Sequence, residues 1–187
     1  MKTVTAGMLG CGSITQQRHA PEYAAREDVE IGGFYDVDQD RAQSLAQKYG
    51  GKAYPSPEAM LADPAIGAVS VCSPNHTHAS LAVAALNAGK HVLVEEPMAL
   101  SLQETRAILE AEKASGRVLM PGHNQRLIPT HRKAKELLDK GAIGKPLFVQ
   151  CSSTHAGPES WSPNKSNSTW VSAKSRAHSG VIGDPGS

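Results

Sequence analysis

The chain has 187 residues and a mass of 19.7 kDa, with 40% hydrophobic residues, 20% charged residues and a formal charge of +1. That length holds one full domain and part of a second, and at this size about 70% of the unfolded surface is buried on folding, so neither disulfides nor a structural metal is needed. The composition excludes a disordered tail protein, a collagen and a basic nucleic-acid arm. No apolar run reaches the roughly 20 residues of a bilayer span and Met1-Lys2-Thr3 opens no signal peptide, so the expected setting is soluble and cytoplasmic, with no membrane partner. Cys11, Cys72 and Cys151 fit neither a disulfide framework nor a zinc site and are read as reduced thiols.

In chain order, Val4 to Leu9 is a short apolar run ending in glycines, followed by a helical stretch to about Arg26. Val29 to Val37 is strand-like and Asp38 to Tyr49 helical; a short strand near Lys52 to Tyr54 and a helix around Pro57 to Leu61 follow. The run Ala68 to Cys72 reads as a buried strand, Thr77 to Ala88 as a helix stopped by Gly89, and His91 to Val94 as another strand. Ser101 and Glu104 form a capping box for a helix to Ser115-Gly116, Arg117 to Met120 supplies a sixth strand, and a helix from about Pro129 to Lys140 leads to a strand over Leu147 to Cys151. Short apolar runs separated by helices predict an α/β fold with a doubly wound parallel sheet covered on both faces.

Residues 1 to 125 carry a net charge of −4 and residues 126 to 187 a net charge of +5. Residues 151 to 187 hold ten Ser but only five residues from the Val, Ile, Leu, Met, Phe and Trp set, so this segment cannot bury much on its own.

Gly10-Cys11-Gly12-Ser13-Ile14-Thr15 sits where the first strand opens into the first helix. Backbone N–H groups and the helix dipole can receive a pyrophosphate there: Gly10 allows the tight turn and Gly12 the close approach of phosphate. Thr15 stands where glycine or alanine is usual. Asp36 ends the second strand, where a carboxylate would accept hydrogen bonds from ribose hydroxyls and repel a 2′-phosphate; NAD is therefore favoured over NADP. Taken alone, Asp36 reads equally well as a cap for the helix after it.

The runs Cys72-Ser73-Pro74-Asn75-His76-Thr77-His78 and His91 to Ala99, together with the Gly10 loop and Gly122-His123-Asn124-Gln125-Arg126, resemble the Gfo/Idh/MocA family of sugar and inositol oxidoreductases. The resemblance implies a Rossmann domain over residues 1–122 and, over 123–187, only a remnant of a second α+β domain that covers the substrate and mediates oligomerisation. It implies that Ser73, Asn75 and His78 lie along the cofactor, Glu95 near the nicotinamide ribose and Asn124 at the cleft, with a sugar or cyclitol as substrate and a homo-oligomer as a further expectation. The family's catalytic lysine is replaced here by Glu96, a reversed charge that cannot stabilise a developing alkoxide. The region of the family's catalytic histidine would lie after Ser187. Expected is a dinucleotide-binding module without efficient hydride transfer; an active dehydrogenase and a scaffold without cofactor are the alternatives. A natural shortened member and a deliberately shortened domain made polar for solubility are both compatible with the tail, and its serines favour the second.

Other constellations are weaker. His76 and His78 do not share a helical face and no metal site is expected. Cys11 is read as a small side chain filling a turn, the remaining histidines as surface or core residues, and Arg132, Lys133 and Lys135 as a solvated helix face with no nucleic-acid partner.

Overall fold

A computed structural model describes residues 3–152. Six parallel strands form one sheet in the order β3-β2-β1-β4-β5-β6: β1 Val4–Leu9, β2 Val29–Tyr35, β3 Lys52–Ala53, β4 Ala68–Val71, β5 His91–Val94 and β6 Leu119–Pro121. The helices are α1 Ala20–Ala24, α2 Gln39–Tyr49, α3 Pro57–Ala62, α4 His78–Asn87, α5 Leu102–Ser115 and α6 Pro129–Asp139. This is the doubly wound arrangement, and its order reverses between β1 and β4, the position at which such sheets leave a crevice beyond the strand ends.

The two sheet faces build separate cores, as a parallel sheet buried on both sides requires. On one face Met8, Ile31 and Phe34 pack with Ala42, Leu45 and Ala46 of α2. On the other, Leu9, Val69, Val71, Val92 and Val94 meet Met60 and Leu61 of α3, the alanine ridge Ala79, Ala82 and Ala85 of α4, and Ile108 of α5. Neighbours Met8 and Leu9 thus enter opposite cores, the period-two consequence of the strand pleat. Among the phenylalanines and tyrosines of the described residues Phe34 is the one fully buried, and small alanines let α4 approach the sheet where bulkier groups would hold it away. The buried Lys90 ammonium donates to the carbonyls of Asp63 and Ile66, both at 2.8 Å, so its charge is not left bare.

Helix starts follow the capping expectations. Ser101 Oγ accepts from the Glu104 N–H at 3.1 Å, and the Glu104 carboxylate reaches back to the Leu100 N–H at 2.7 Å, one residue earlier than the standard box. Asp38, not Asp36, caps α2, accepting from the Arg41 N–H. The first helix differs from expectation: Thr15–His19 is a π-type turn that passes into α1, which ends at Ala24. Thr15 Oγ1 donates to the Gly10 carbonyl, and Pro21, which has no N–H to donate back to the preceding turn, stands at the start of α1.

Three strand expectations are corrected. β2 stops at Tyr35 because the Asp36 carboxylate accepts from the Asp38 N–H and turns the chain out, leaving Val37 exposed. β6 runs over Leu119–Pro121 because the Val118 N–H donates to His91 Nδ1 outside the ladder. The expected strand over Leu147 to Cys151 does not form: Leu147, Phe148 and Val149 are 91%, 83% and 79% exposed, with no neighbouring strand among the described residues to accept their backbone groups. α6 buries no residue, and Lys133, Lys135 and Lys140 pair with Glu136 and Asp139, the pattern of a solvated face. The Ser-rich residues 153–187, with the tail expectations that rest on them, lie outside the described residues. No helix among the described residues is long and apolar enough to cross a membrane, and no group of side chains there could hold a metal ion.

Candidate functional site

Gly10 is the pivot of the crevice. Its φ of +102° is a conformation that side chains disfavour, and an added Cβ would lie 2.6 Å from the Cys72 carbonyl oxygen and 2.7 Å from the Ser73 nitrogen. The loop after β1 therefore lies directly against the loop after β4. Its N–H donates to Tyr35 at 2.8 Å, while Thr15 Oγ1 donates to its carbonyl at 2.7 Å. Thr15 is fully buried, so the threonine that departs from the usual small residue fastens the loop from beneath.

Asp36 is tied to the same loop. Its Oδ2 accepts the Cys11 N–H at 2.7 Å, its Oδ1 accepts the Asp38 N–H at 2.9 Å, and Arg41 Nη1 approaches both oxygens at 3.4 Å. The buried carboxylate thus joins the β1 turn, the end of β2 and the start of α2. Burial, and after it the negative charge of Asp36, pushes the Cys11 thiol up to about 12, which keeps it protonated and suits a side chain that fills a turn.

Two features of these loops fit a dinucleotide. A Cβ at Gly12 would meet nothing within 4 Å, so open space lies where a phosphate must approach the backbone. Asn75 is buried at the start of the turn Asn75–Thr77, and its Nδ2 has no hydrogen-bond partner among the described residues. A buried amide donor without a partner costs about 1–3 kcal/mol, which a polar ligand in the crevice would offset. Ser13 and Ile14 are half-buried beside Gly12, at the start of the helical segment.

The loops after β4 and β5 are locked together by His78, whose Nδ1 lies 2.8 Å from the Pro97 carbonyl oxygen and Nε2 2.7 Å from that of Ser73. His78 is fully buried and reaches the crevice through these backbone contacts. Thr77 Oγ1 donates to the Pro74 carbonyl, so at 2.6 Å it accepts from Ser73 Oγ. Glu95 follows β5 and its Oε1 lies 2.5 Å from Nε2 of His19. A Cβ on Gly122 would stand 3.2 Å from Glu95 Oε2, so the carboxylate lies between the first helical turn and the end of β6. Asn124 is exposed in the turn Asn124–Leu127, beyond Gly122. Glu96 is half-buried and joined to Pro97 by a cis peptide bond.

Two residues of this constellation escape sequence reasoning. His19 reads as one of several scattered histidines, although its i, i+4 relation to Thr15 places both on the inner side of the same turn. Arg41 is an ordinary helix residue by pattern, and its partners Asp36 and Asp38 become visible only when the β2 end folds back.

Residues 4–123 match the family model GFO_IDH_MocA, described as an oxidoreductase family with an NAD-binding Rossmann fold. The chain is 34% identical to a myo-inositol 2-dehydrogenase of Thermotoga maritima over 153 residues, covering 81% of this chain and 46% of that protein. It is 35% identical to a levoglucosan dehydrogenase of Pseudarthrobacter phenanthrenivorans, covering 98% of this chain and 48% of that one, so the match extends into the Ser-rich segment. It superposes on a 3-ketoreductase of Actinomadura kijaniata in complex with NADP with a TM-score of 0.72 at 29% identity, over 77% of this chain and 46% of that chain. A lysine-to-glutamate mutant of that ketoreductase also appears among the similar structures, in complex with TDP-benzene and NADP. The chain spans about half the length of the curated relatives it matches.

Proposed function

Because this chain belongs to the Gfo/Idh/MocA oxidoreductase family through its NAD-binding Rossmann domain, we propose that residues 1–122 bind NAD in the crevice between β1 and β4, with residues 123–187 beginning a second domain. The observation that carries the reading is the braced loop with open space at Gly12. In it the backbone N–H groups of Gly12 and Ser13 hold the pyrophosphate, Asp36 takes the ribose hydroxyls of the adenosine half, and Asn75 donates to the cofactor from the β4 loop. Glu95 and Asn124 lie toward the nicotinamide end, and Ser73 and His78 shape the wall between. NAD is preferred over NADP because the acid at the end of β2 disfavours a second phosphate. The setting is cytoplasmic, where the thiols of Cys11, Cys72 and Cys151 stay reduced.

The bound nicotinamide supplies the hydride chemistry of the family, with a sugar or cyclitol as the reacting class. In this chain Glu96 offers a carboxylate where the family uses a lysine, and a carboxylate cannot stabilise negative charge developing on a substrate oxygen. The chain is therefore a cofactor-binding module without efficient hydride transfer. A lysine-to-glutamate mutant of the related ketoreductase is found in complex with NADP, so such an exchange is compatible with cofactor binding in that protein.

Calorimetric titration of NAD tests the binding half. Saturable heat is expected for the wild-type chain. Gly12→Ala should weaken it by about tenfold or more, equivalent to ~1.4 kcal/mol, because a methyl group enters the space the phosphate needs. Its thermal midpoint should not fall, since the new Cβ touches nothing. Unchanged affinity in Gly12→Ala would remove the loop from the binding site. The turnover half is checked by following NADH with myo-inositol as substrate. No NADH is expected from the wild-type chain, and its formation would overturn the assignment; NADH appearing only in Glu96→Lys would place the defect in that one charge.

A further inference from the structure

Beneath the crevice three side chains meet in an order that dinucleotide binding does not call for. Along β4, Val69 and Val71 enter the core shared with α3, α4 and α5, so by the period-two pleat Ser70 and Cys72 face the side of α1. The Cys72 N–H donates to the Leu9 carbonyl at 2.8 Å, which carries the strand pairing as far as this residue. Ser70 meets the Tyr23 hydroxyl at 2.7 Å, and His19, edge-on to the Tyr23 ring at 5.9 Å, hydrogen-bonds the Cys72 side chain. Nε2 of the same His19 ring lies 2.5 Å from Glu95 Oε1. The contacts thus run from thiol to imidazole to carboxylate, the order of a nucleophile, a proton-carrying group and the acid that orients it. Burial opposes protonation of the ring, and hydrogen bonds and charge from Cys72 and Glu95 overcome it, so His19 is a cation at neutral pH. Cys72 keeps 7% of its surface exposed, whereas Cys11 keeps none.

We propose that Cys72 is a hydroperoxide-reactive thiol, with His19 supplying the proton to the leaving oxygen and Glu95 holding the His19 ring in place. The attacking form of a thiol is its thiolate, which a neighbouring cation favours. The Cys72 sulfur attacks one oxygen of hydrogen peroxide, the O–O bond breaks, and the departing hydroxide takes a proton from the His19 ring. The products are a sulfenic acid on Cys72 and water; sulfur loses the two electrons that the peroxide gains. A small thiol reverses the change: one equivalent condenses with the sulfenic acid and releases water, and a second frees Cys72 as the small-molecule disulfide leaves. The enclosure selects the reagent, because a molecule the size of hydrogen peroxide reaches a sulfur that larger thiol reagents do not. Cys11 lacks this arrangement: its sulfur lies 3.6 Å from the Tyr35 carbonyl oxygen, and burial and the charge of Asp36 keep it protonated. Cys151 is exposed and serves as the ordinary thiol of the chain. None of this depends on what the crevice binds.

Timed exposure of the full reduced chain to hydrogen peroxide, followed by unfolding in urea with dimedone and peptide mass spectrometry, tests this. Cys72 is expected to form the dimedone adduct at least about tenfold faster than Cys151 in the same sample, with Cys11 unmodified. The larger reagent N-ethylmaleimide, applied to the folded chain, should take Cys151 first. His19→Gln, with native folding checked by circular dichroism, should slow the reaction of Cys72 with peroxide by about tenfold or more. Cys72 oxidising no faster than Cys151 in the wild type would overturn the proposal, whether or not the variant folds. Maleimide preferring Cys72 would show mere exposure and overturn it as well. An unchanged peroxide rate in folded His19→Gln would do the same, since the cluster and not the sulfur alone is what is proposed.

Discussion

His19→Ala is expected to lower the unfolding free energy by about 3–5 kcal/mol, the cost of removing one partner from a buried ion pair. The His19 and Glu95 side chains are 10% and 17% exposed, and they meet at 2.5 Å. Deletion of the ring leaves the Glu95 carboxylate without its cation beneath the crevice. It also removes the edge-on contact with Tyr23 at 5.9 Å, and Tyr23 in turn shares a 2.7 Å hydrogen bond with Ser70 on β4. Burial opposes protonation of His19, but hydrogen bonds and charge from Cys72 and Glu95 outweigh it and push its pKa from 6.5 up to about 11. A group whose pKa is raised by folding contributes stability that is fully present below its unfolded pKa and lost as pH rises through its folded value. The wild-type chain should therefore lose stability progressively between pH 6.5 and about 11, and His19→Ala should lack that component of the slope. Urea denaturation at several pH values across this window checks both claims. A stable His19→Ala with an unchanged slope would show that the pair contributes nothing.

Gly10→Ala should be nearly as damaging, for a reason of shape rather than charge. The backbone there is left-handed at φ +102°, and the new Cβ would stand 2.6 Å from a carbonyl oxygen that cannot swing away as a side chain could. Strain at such a φ costs about 1–3 kcal/mol and overpacking about 1–3 kcal/mol more. The β1 and β4 loops must then separate, so Asn75 and Gly12 no longer face one crevice and NAD affinity falls together with stability. Gly12→Ala is the contrast, two residues away with the same added methyl group, and should lose affinity alone. Parallel denaturation and NAD titration of the two variants separate fold from site.

The sheet and its helices were legible because their causes are local. Apolar runs such as Ala68 to Val71, a Ser101–Glu104 box and a glycine after the last turn are written in neighbouring residues. The positions of the glycine loop after β1 and of Asp36 after β2 were legible for the same reason, as a strand end, a turn and an acid at a known interval. What could not be read depends on partners distant in sequence. His19 meets a carboxylate 76 residues away, and nothing around either residue announces the other. Leu147 to Cys151 has the composition of a strand, but a strand exists only where another strand accepts its hydrogen bonds, and none does among the described residues. Asp36 shows the intermediate case: its position was predictable, but its double engagement by Cys11 and Asp38 was not, because that required knowing how far β2 runs before it turns.

The cross-bracing of the β1 loop bears on the speed of recognition as well as its strength. With Thr15 fastening the Gly10 carbonyl, Asp36 fastening the Cys11 N–H and Tyr35 fastening the Gly10 N–H, the loop geometry is fixed without any ligand. The entropy of ordering that a floppy loop would forfeit on each encounter has already been lost during folding. For the nucleotide binding proposed above, association at this loop would wait on diffusion and orientation, and differences between one nucleotide and another would be written in how long each stays.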